Sequence, residues 1–146
     1  MEESINFLTF YKEKFGFKRA DAATYSPLVL AYIGDAVYEL MIRAKIVNDG
    51  NMQVNKLHKK SAGLVKAETQ ANLIKALTPY LNEEELTVYK RGRNAKSATV
   101  AKHATVADYR MATGFEALIG WLFLSEQFER LTELTALALR EIGELT

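Results

Sequence analysis

The chain has 146 residues, of which 49% are hydrophobic and 25% are charged, the composition of one globular domain with its own core. It contains no cysteine, which excludes disulfides and thiolate metal sites and favours a cytoplasmic protein. The first residues lack the pattern of a signal peptide, and the apolar run at 117–124 is too short to cross a bilayer. We therefore expect a single domain over residues 1–146.

The charge is spread unevenly along the chain. The formal net charge is +1, yet residues 56–110 carry eleven Lys and Arg against five Asp and Glu. Such a basic block inside a nearly neutral protein indicates a polyanionic partner. A basic helix face that is merely exposed to solvent explains the same excess, so charge alone leaves both interpretations open.

The chain begins with a short amphipathic pattern. Residues 5–15 have aromatic and aliphatic side chains at helical spacing, and Gly16 follows as a stop signal. The pattern predicts a helix with five anchoring side chains, namely Phe7, Leu8, Phe10, Tyr11 and Phe15.

A central helix is predicted from Ser26 to about Val47. Ser26 suits the N-cap, and Pro27 suits the first helical position, where its missing N–H costs nothing. Apolar residues cover all sides of this helix, which predicts that it is buried. Asp35 nevertheless lies in its middle, with Glu39 one turn later. A buried carboxylate is costly unless it is paired or binds a metal.

The rest of the chain is also predicted to be helical. Gly63 is expected to bend or divide the first of these helices, and Asn82 with Glu85 has the spacing of a capping box. Residues 94–104 are expected to be less regular. Because proline is rare and no strand-like alternation stands out, the predicted fold is all-α, with six or seven helices. The four helices concerned run from Val54 to about Leu77, from Asn82 toward Arg93, over 106–126 and over 128–142.

The predicted helix around Glu116, like the central helix, places an acid among apolar residues. Its neighbours from Phe115 to Leu124 leave no polar face, and Glu116 is the one acid among them. Each of the two helices also carries a mid-helix glycine, Gly34 or Gly120. Glycine costs about 1 kcal/mol relative to alanine in a helix. We expect it there because another backbone approaches closely.

The simplest joint explanation is that Asp35 and Glu116 face each other and share a divalent cation. Mg²⁺ prefers oxygen ligands and often takes only one or two carboxylates, and it supports phosphodiester hydrolysis. The alternative is that each acid pairs with a cation such as Arg43 or Arg110, or accepts backbone hydrogen bonds. Glu39 is a weaker third candidate that an ordinary salt bridge would explain.

A basic segment, Lys90-Arg-Gly-Arg-Asn-Ala-Lys-Ser97, forms the second cluster of interest, followed by Lys102, His103 and Arg110. Lys and Arg neutralise phosphates, and Gly92 with the small residues is expected to make the segment mobile enough to follow a groove. Few aromatics accompany it, which favours contact with a duplex backbone over base stacking. A solvated basic loop is the alternative. His58 and His103 lack zinc-site spacing, and no phosphate-binding glycine loop is present.

Two motifs resemble a known family. Tyr32-Ile-Gly-Asp-Ala-Val-Tyr-Glu-Leu40 resembles the signature helix of the ribonuclease III catalytic domain, and Phe115-Glu-Ala-Leu-Ile-Gly120 resembles its second acidic motif. The short length, the lack of an appended double-stranded-RNA-binding domain and the segment from Lys90 to Ser97 resemble the Mini-III subfamily. The resemblance implies a Mg²⁺-dependent, homodimeric endoribonuclease that cuts double-stranded RNA, leaving 5′-phosphate and 3′-hydroxyl ends. It further implies that the signature helices pack at the two-fold axis. Mini-III enzymes are associated with maturation of the large-subunit (23S) ribosomal RNA precursor.

By position, Asp35 corresponds to the signature aspartate of the family and Glu116 to its metal-binding glutamate. Where full-length members carry further acids, this chain has Leu28, Ala31 and Thr113, so one Mg²⁺ per site is easier to support than two. The alternatives are a non-catalytic RNA-binding or ribosome-associated protein on the same fold, and a helical dimeric adaptor. Ribosomal proteins are candidate partners. The residues expected to hold the RNA backbone are Lys90, Arg91, Arg93, Lys96 and Lys102.

Overall fold

The structure is a computed structural model that describes residues 6–18, 21–96 and 105–146. These residues form α-helices joined by short turns and contain no strand, which confirms the predicted all-α fold. Single 3₁₀ turns lie at Ala22–Thr24 and Thr78–Tyr80. The helices of the described residues are α1 (Asn6–Phe15), α2 (Pro27–Asn48), α3 (Val54–Val65), α4 (Ala67–Leu77), α5 (Glu83–Asn94), α6 (Val106–Leu124) and α7 (Phe128–Glu141).

Helix α6 forms the centre of the fold. It packs against α2, α4, α5 and α7, and its side chains are buried almost without interruption from Ala112 to Leu122. Glu116 is the half-buried exception in that stretch. The prediction that this helix has no polar face is therefore confirmed, because helices surround it on several sides. None of the helices in the described ranges is long and apolar enough to cross a membrane.

The central helix, α2, is buried on one face only, so the prediction that it is buried on all sides is wrong. Ser26 caps it as predicted, its Oγ accepting a hydrogen bond from the Val29 N–H at 3.3 Å. One face of α2 is buried, but the other is open to solvent because no element of the described chain covers it. Asp35 lies on the exposed side. The exposed apolar residues of α2, called here the α2 stripe, are Leu28, Val29, Tyr32, Leu40 and Val47.

The aromatic side chains of α1 also differ from their predicted role as anchors. Phe7, Phe10 and Phe15 are largely exposed. Tyr11 packs with Phe15 and Phe17, at ring-centroid distances of 4.3 and 5.1 Å. The aromatic side chains of α1 therefore contact one another more than they contact the core.

The boundary between α3 and α4 lies at Lys66, not at Gly63. Lys66 has an extended backbone (φ −68°, ψ 156°), which ends one helix and begins the next. The capping box at the start of α5 is confirmed, with Asn82 and Glu85 exchanging hydrogen bonds of 2.8 and 2.9 Å. Glu85 is fully buried, and the Arg130 guanidinium contacts both of its carboxylate oxygens. This bidentate pair ties α7 to α5 and holds the pKa of Glu85 below its usual value.

Candidate active site

Two glycines allow the backbones of α2 and α6 to touch. A Cβ on Gly34 would lie 1.8 Å from the carbonyl oxygen of Glu116, and a Cβ on Gly120 would lie 1.9 Å from that of Leu30. No side chain could occupy either position without moving a helix. The close approach expected from the two mid-helix glycines is thus confirmed. It also brings Asp35, the neighbour of Gly34, to the turn of α6 that carries Glu116.

The carboxyl groups of Asp35 and Glu116 interact directly. The pKa of Glu116 is raised to about 8, chiefly by burial, and the charge of Asp35 and a side-chain hydrogen bond with it act in the same direction. The two acids therefore lie close together, while their catalytic and metal-binding roles stay predictions. A raised pKa with this cause means that the second negative charge is costly unless a cation compensates it.

Neither acid has an ion-pair partner within residues 6–18, 21–96 and 105–146, so pairing with Arg43 or Arg110 is not seen there. Arg43 instead donates from Nε to Glu39 Oε2 at 2.9 Å, one turn away on the same helix. Glu39 is thus a salt-bridged side chain, which is the ordinary explanation left open for it. Asp35 and Glu116 thus lie together without a cation partner among the described residues.

Gln70 is a site residue that sequence reasoning missed. It is buried on α4, and its Nε2 donates to Glu116 Oε2 at 3.3 Å and to the Val65 carbonyl at 2.9 Å. This hydrogen bond lowers the pKa of Glu116, against the larger effects of burial and Asp35. The sequence contained a sign of this role. Gln70 shares one helical face with Leu73, Ile74 and Leu77, where an apolar residue would be expected.

The donor set is compatible with Mg²⁺. Two carboxylates that contact each other, without a competing Lys or Arg among the described residues, supply the one or two carboxylates that Mg²⁺ commonly takes. The described residues contain no group of three or more Asp, Glu, His or Cys that could hold a metal. The arrangement therefore favours one hard cation that keeps several waters over a many-ligand protein cage.

The basic end of α5 runs beside the same turn of α6. A Cβ on Gly92 would lie 2.7 Å from the Ala117 Cβ and 2.9 Å from the Gly114 Cα, so the two helices are in near-backbone contact. The idea that Gly92 makes this segment mobile is therefore wrong: Gly92 is buried in a helix that continues to Asn94. The glycine is needed here for packing, because any side chain would push α5 away from α6.

The predicted RNA-binding residues follow this packed end of α5. Lys90, Arg91 and Lys96 are exposed, and the Arg93 guanidinium lies 5.6 Å from the centroid of the Tyr89 ring. Cations in the last turn of a helix also interact favourably with the helix dipole, so a purely structural role would explain these side chains without RNA binding. Lys102 and His103 lie outside the described residues, as does Ser97.

Comparisons with known proteins place this geometry in a family. The model of the Ribonuclease III domain matches residues 28–127. A Mini-ribonuclease 3 from Clostridium tetani is 53% identical over 124 residues, covering 84% of this chain and 82% of that protein. One from Thermoanaerobacter is 52% identical over 119 residues, covering 82% and 84%.

A solved structure agrees with the sequence comparisons. The crystal structure of a Fusobacterium nucleatum protein superposes with a TM-score of 0.75 at 34% identity, covering 86% of this chain and 98% of that one. The match therefore extends over nearly the whole of that structure. On this evidence the chain belongs to the ribonuclease III family, within the group of the Mini-ribonucleases 3.

Proposed function

We propose that this ribonuclease III-family endoribonuclease cuts double-stranded RNA in a Mg²⁺-dependent reaction. The single observation that carries the proposal is the contact between Asp35 and Glu116, two acids without a cation partner among the described residues. In line with the family resemblance, the proposed substrate is precursor 23S ribosomal RNA in the cytoplasm, with ribosomal proteins as candidate partners.

Asp35 and Glu116 are the proposed ligands of the cation. When bound, Mg²⁺ would lower the pKa of a coordinated water and neutralise charge on the scissile phosphate. The two carboxylates orient the attacking water against phosphorus. Its oxygen forms the new P–O bond as the bond between phosphorus and the 3′ oxygen breaks. The water gives up a proton and the departing 3′ oxygen takes one from solvent, which leaves a 5′-phosphate and a 3′-hydroxyl. Thr113 stands where full-length members carry an aspartate, and its hydroxyl donates to the Tyr109 carbonyl at 3.0 Å.

The proposed RNA contacts lie on the adjoining end of α5. Exposed cations there face solvent next to the α6 turn that bears Glu116, so a duplex backbone held by them would present a phosphate near the acids. Because the proposed contacts join cationic side chains to phosphates, affinity is expected to fall steeply with salt. The proposed contacts are Lys90, Arg91, Arg93 and Lys96, together with Lys102 outside the described residues.

A homodimer is also part of the proposal. The α2 stripe exposes several large apolar side chains on one face of a helix whose other face is buried, and Tyr32 is 82% exposed. Contiguous apolar surface of this kind marks an interaction site, and a self-complementary patch generates a two-fold dimer. Because Asp35 lies on the same exposed side of α2, two such sites would lie along one interface.

The test is cleavage of a defined, end-labelled RNA duplex with and without Mg²⁺, with both new ends mapped. Asp35→Asn is expected to reduce the rate by more than about 100-fold, beyond the 10- to 100-fold effect typical of residues behind the metal ligands. Its RNA affinity should be retained, because Asp35 contributes no positive charge. Glu39→Gln is the matched control, since Glu39 lies one turn away and pairs with Arg43.

The outcomes separate the candidate functions. Cleavage by Asp35→Asn at the rate of the parent would show that the acids are not the catalytic centre. Retention of the duplex by the parent without any cleavage would favour the non-catalytic RNA-binding protein instead. An absence of salt-sensitive binding would favour the helical adaptor.

A further inference from the structure

Gln70 occupies a position where packing alone would favour an apolar residue. It lies on the buried face of α4 between the end of α3 and the centre of α6, and it is 1% exposed. Burying an amide is costly unless its polar atoms are hydrogen-bonded. The contacts that Gln70 makes should therefore indicate why an amide is present.

Both N–H groups of this amide are engaged by acceptors. One donates to the Val65 carbonyl at the C-terminal end of α3, and the other donates to Glu116 Oε2. Rotating the amide by 180° would turn its oxygen toward these two acceptors, so the hydrogen bonds define its orientation. Gln70 thus links a helix end to one specific oxygen of Glu116.

The oxygen of the same amide is left without a partner. Gln70 Oε1 is buried, and no donor within the described residues reaches it. A buried acceptor without a donor destabilises the folded state, whereas an apolar side chain of similar shape would avoid that penalty. Stabilising the C-terminal end of α3 does not by itself explain Gln70. The Tyr38 hydroxyl already donates a hydrogen bond to the neighbouring Leu64 carbonyl at 2.6 Å.

We propose that Gln70 is a positioning residue for the metal site, holding the Glu116 carboxylate in place and offering its own free oxygen to a water at that site. The inference rests on the proposed function. Mg²⁺ retains waters that need hydrogen-bond acceptors, and an amide oxygen can accept from them. A neutral amide suits this place, because a Lys would compete with the cation and a Glu would repel Glu116.

The decisive variant is Gln70→Leu, with Mn²⁺ binding measured by electron paramagnetic resonance in the absence of RNA. The dissociation constant is expected to rise by about 10- to 100-fold, the usual effect of losing a residue behind a metal ligand. The Mg²⁺ concentration for half-maximal cleavage should rise in parallel, while the rate at saturating Mg²⁺ recovers. The thermal midpoint is expected to fall modestly, because the Val65 carbonyl loses its donor, so Mn²⁺ affinity and not stability is the deciding readout.

Thr135→Val is the matched control. Thr135 is equally buried, but its hydroxyl donates within α7 to the Leu131 carbonyl at 2.8 Å and does not contact either acid. It should bind Mn²⁺ like the parent. If Gln70→Leu does not fold, Gln70→Met preserves the length of the side chain without its amide and takes its place.

Failure of this inference is distinguishable from failure of the proposed function. If the parent binds Mn²⁺ and cleaves, while the Gln70 variant binds Mn²⁺ equally well, Gln70 serves only the packing of α3 and α4 and the inference is wrong. A Gln70 variant with normal Mn²⁺ affinity and a lowered thermal midpoint leads to the same conclusion. If the parent neither binds Mn²⁺ nor cleaves RNA, the proposed function fails and the inference fails with it.

Discussion

At the scale of single residues, the site depends on a charge that the fold makes costly. Glu116 lies at the contact of α6 with α2, where burial and Asp35 together raise its pKa to about 8. In an unfolded chain the pKa of this carboxyl group would stay near its ordinary value of 4.5. The native state therefore retains a proton between about pH 4.5 and pH 8 that the unfolded chain has lost.

This difference makes a prediction about stability against pH without metal. Because the native state binds the extra proton, its free energy of unfolding should fall as the pH rises from about 4.5 to 8, by at most about 1.4 kcal/mol per pH unit. Glu116→Gln should remove this slope, since the amide does not titrate. Urea unfolding of both proteins at several pH values in chelator measures the difference between them.

Mg²⁺ provides the control for that experiment. A cation beside Glu116 favours its ionised form, so excess Mg²⁺ should reduce the difference in slope between the parent and Glu116→Gln. Equal slopes in chelator would instead show that the carboxyl group of Glu116 titrates normally and is not held against Asp35.

At the scale of helices, the sequence predicted the elements better than their environments. Ser26, Asn82 and the two mid-helix glycines acted as predicted, because capping and close packing are local demands on specific residue types. The two proposed site acids could be singled out because charges stand out in apolar helices. The packing role of Gly92 and the position of Gln70 were missed, because both depend on which helix lies opposite, and local spacing does not contain that information.

A helical glycine that touches another backbone can be compared with one that faces open space. Gly34→Ala would place a Cβ 1.8 Å from a backbone oxygen that cannot move without its helix, so we expect destabilisation of about 3 kcal/mol or more. Gly63→Ala is the matched control. A Cβ there meets nothing within 4 Å, and the change should stabilise α3 by up to about 1 kcal/mol. Urea denaturation measures both, and equal stabilities would contradict the backbone contact between α2 and α6.

At the scale of the whole molecule, a single chain leaves apolar surface that its sequence pattern suggested would be buried. The spacing of the α2 stripe and of the aromatic side chains of α1 predicts that they are buried, yet most of them are exposed. Periodicity reports that a face is apolar, but it does not say whether the covering element belongs to the same chain. For α2 we attribute the difference to a second copy, because its stripe lies on a rigid helix packed against α6.

The proposed dimer can be tested with two exposed tyrosines, one inside the α2 stripe and one outside it. Tyr32→Glu places a charge in the middle of the α2 stripe, where desolvation in an interface would be costly, and should convert a dimer into a folded monomer. Tyr80→Glu alters a tyrosine that is 51% exposed in the turn before α5, away from α2, and should leave the dimer intact. Sedimentation equilibrium gives the mass of each variant, and circular dichroism shows whether it is folded. A monomeric parent, or a Tyr32→Glu variant that dimerises like Tyr80→Glu, would show that the α2 stripe is not the interface between two copies.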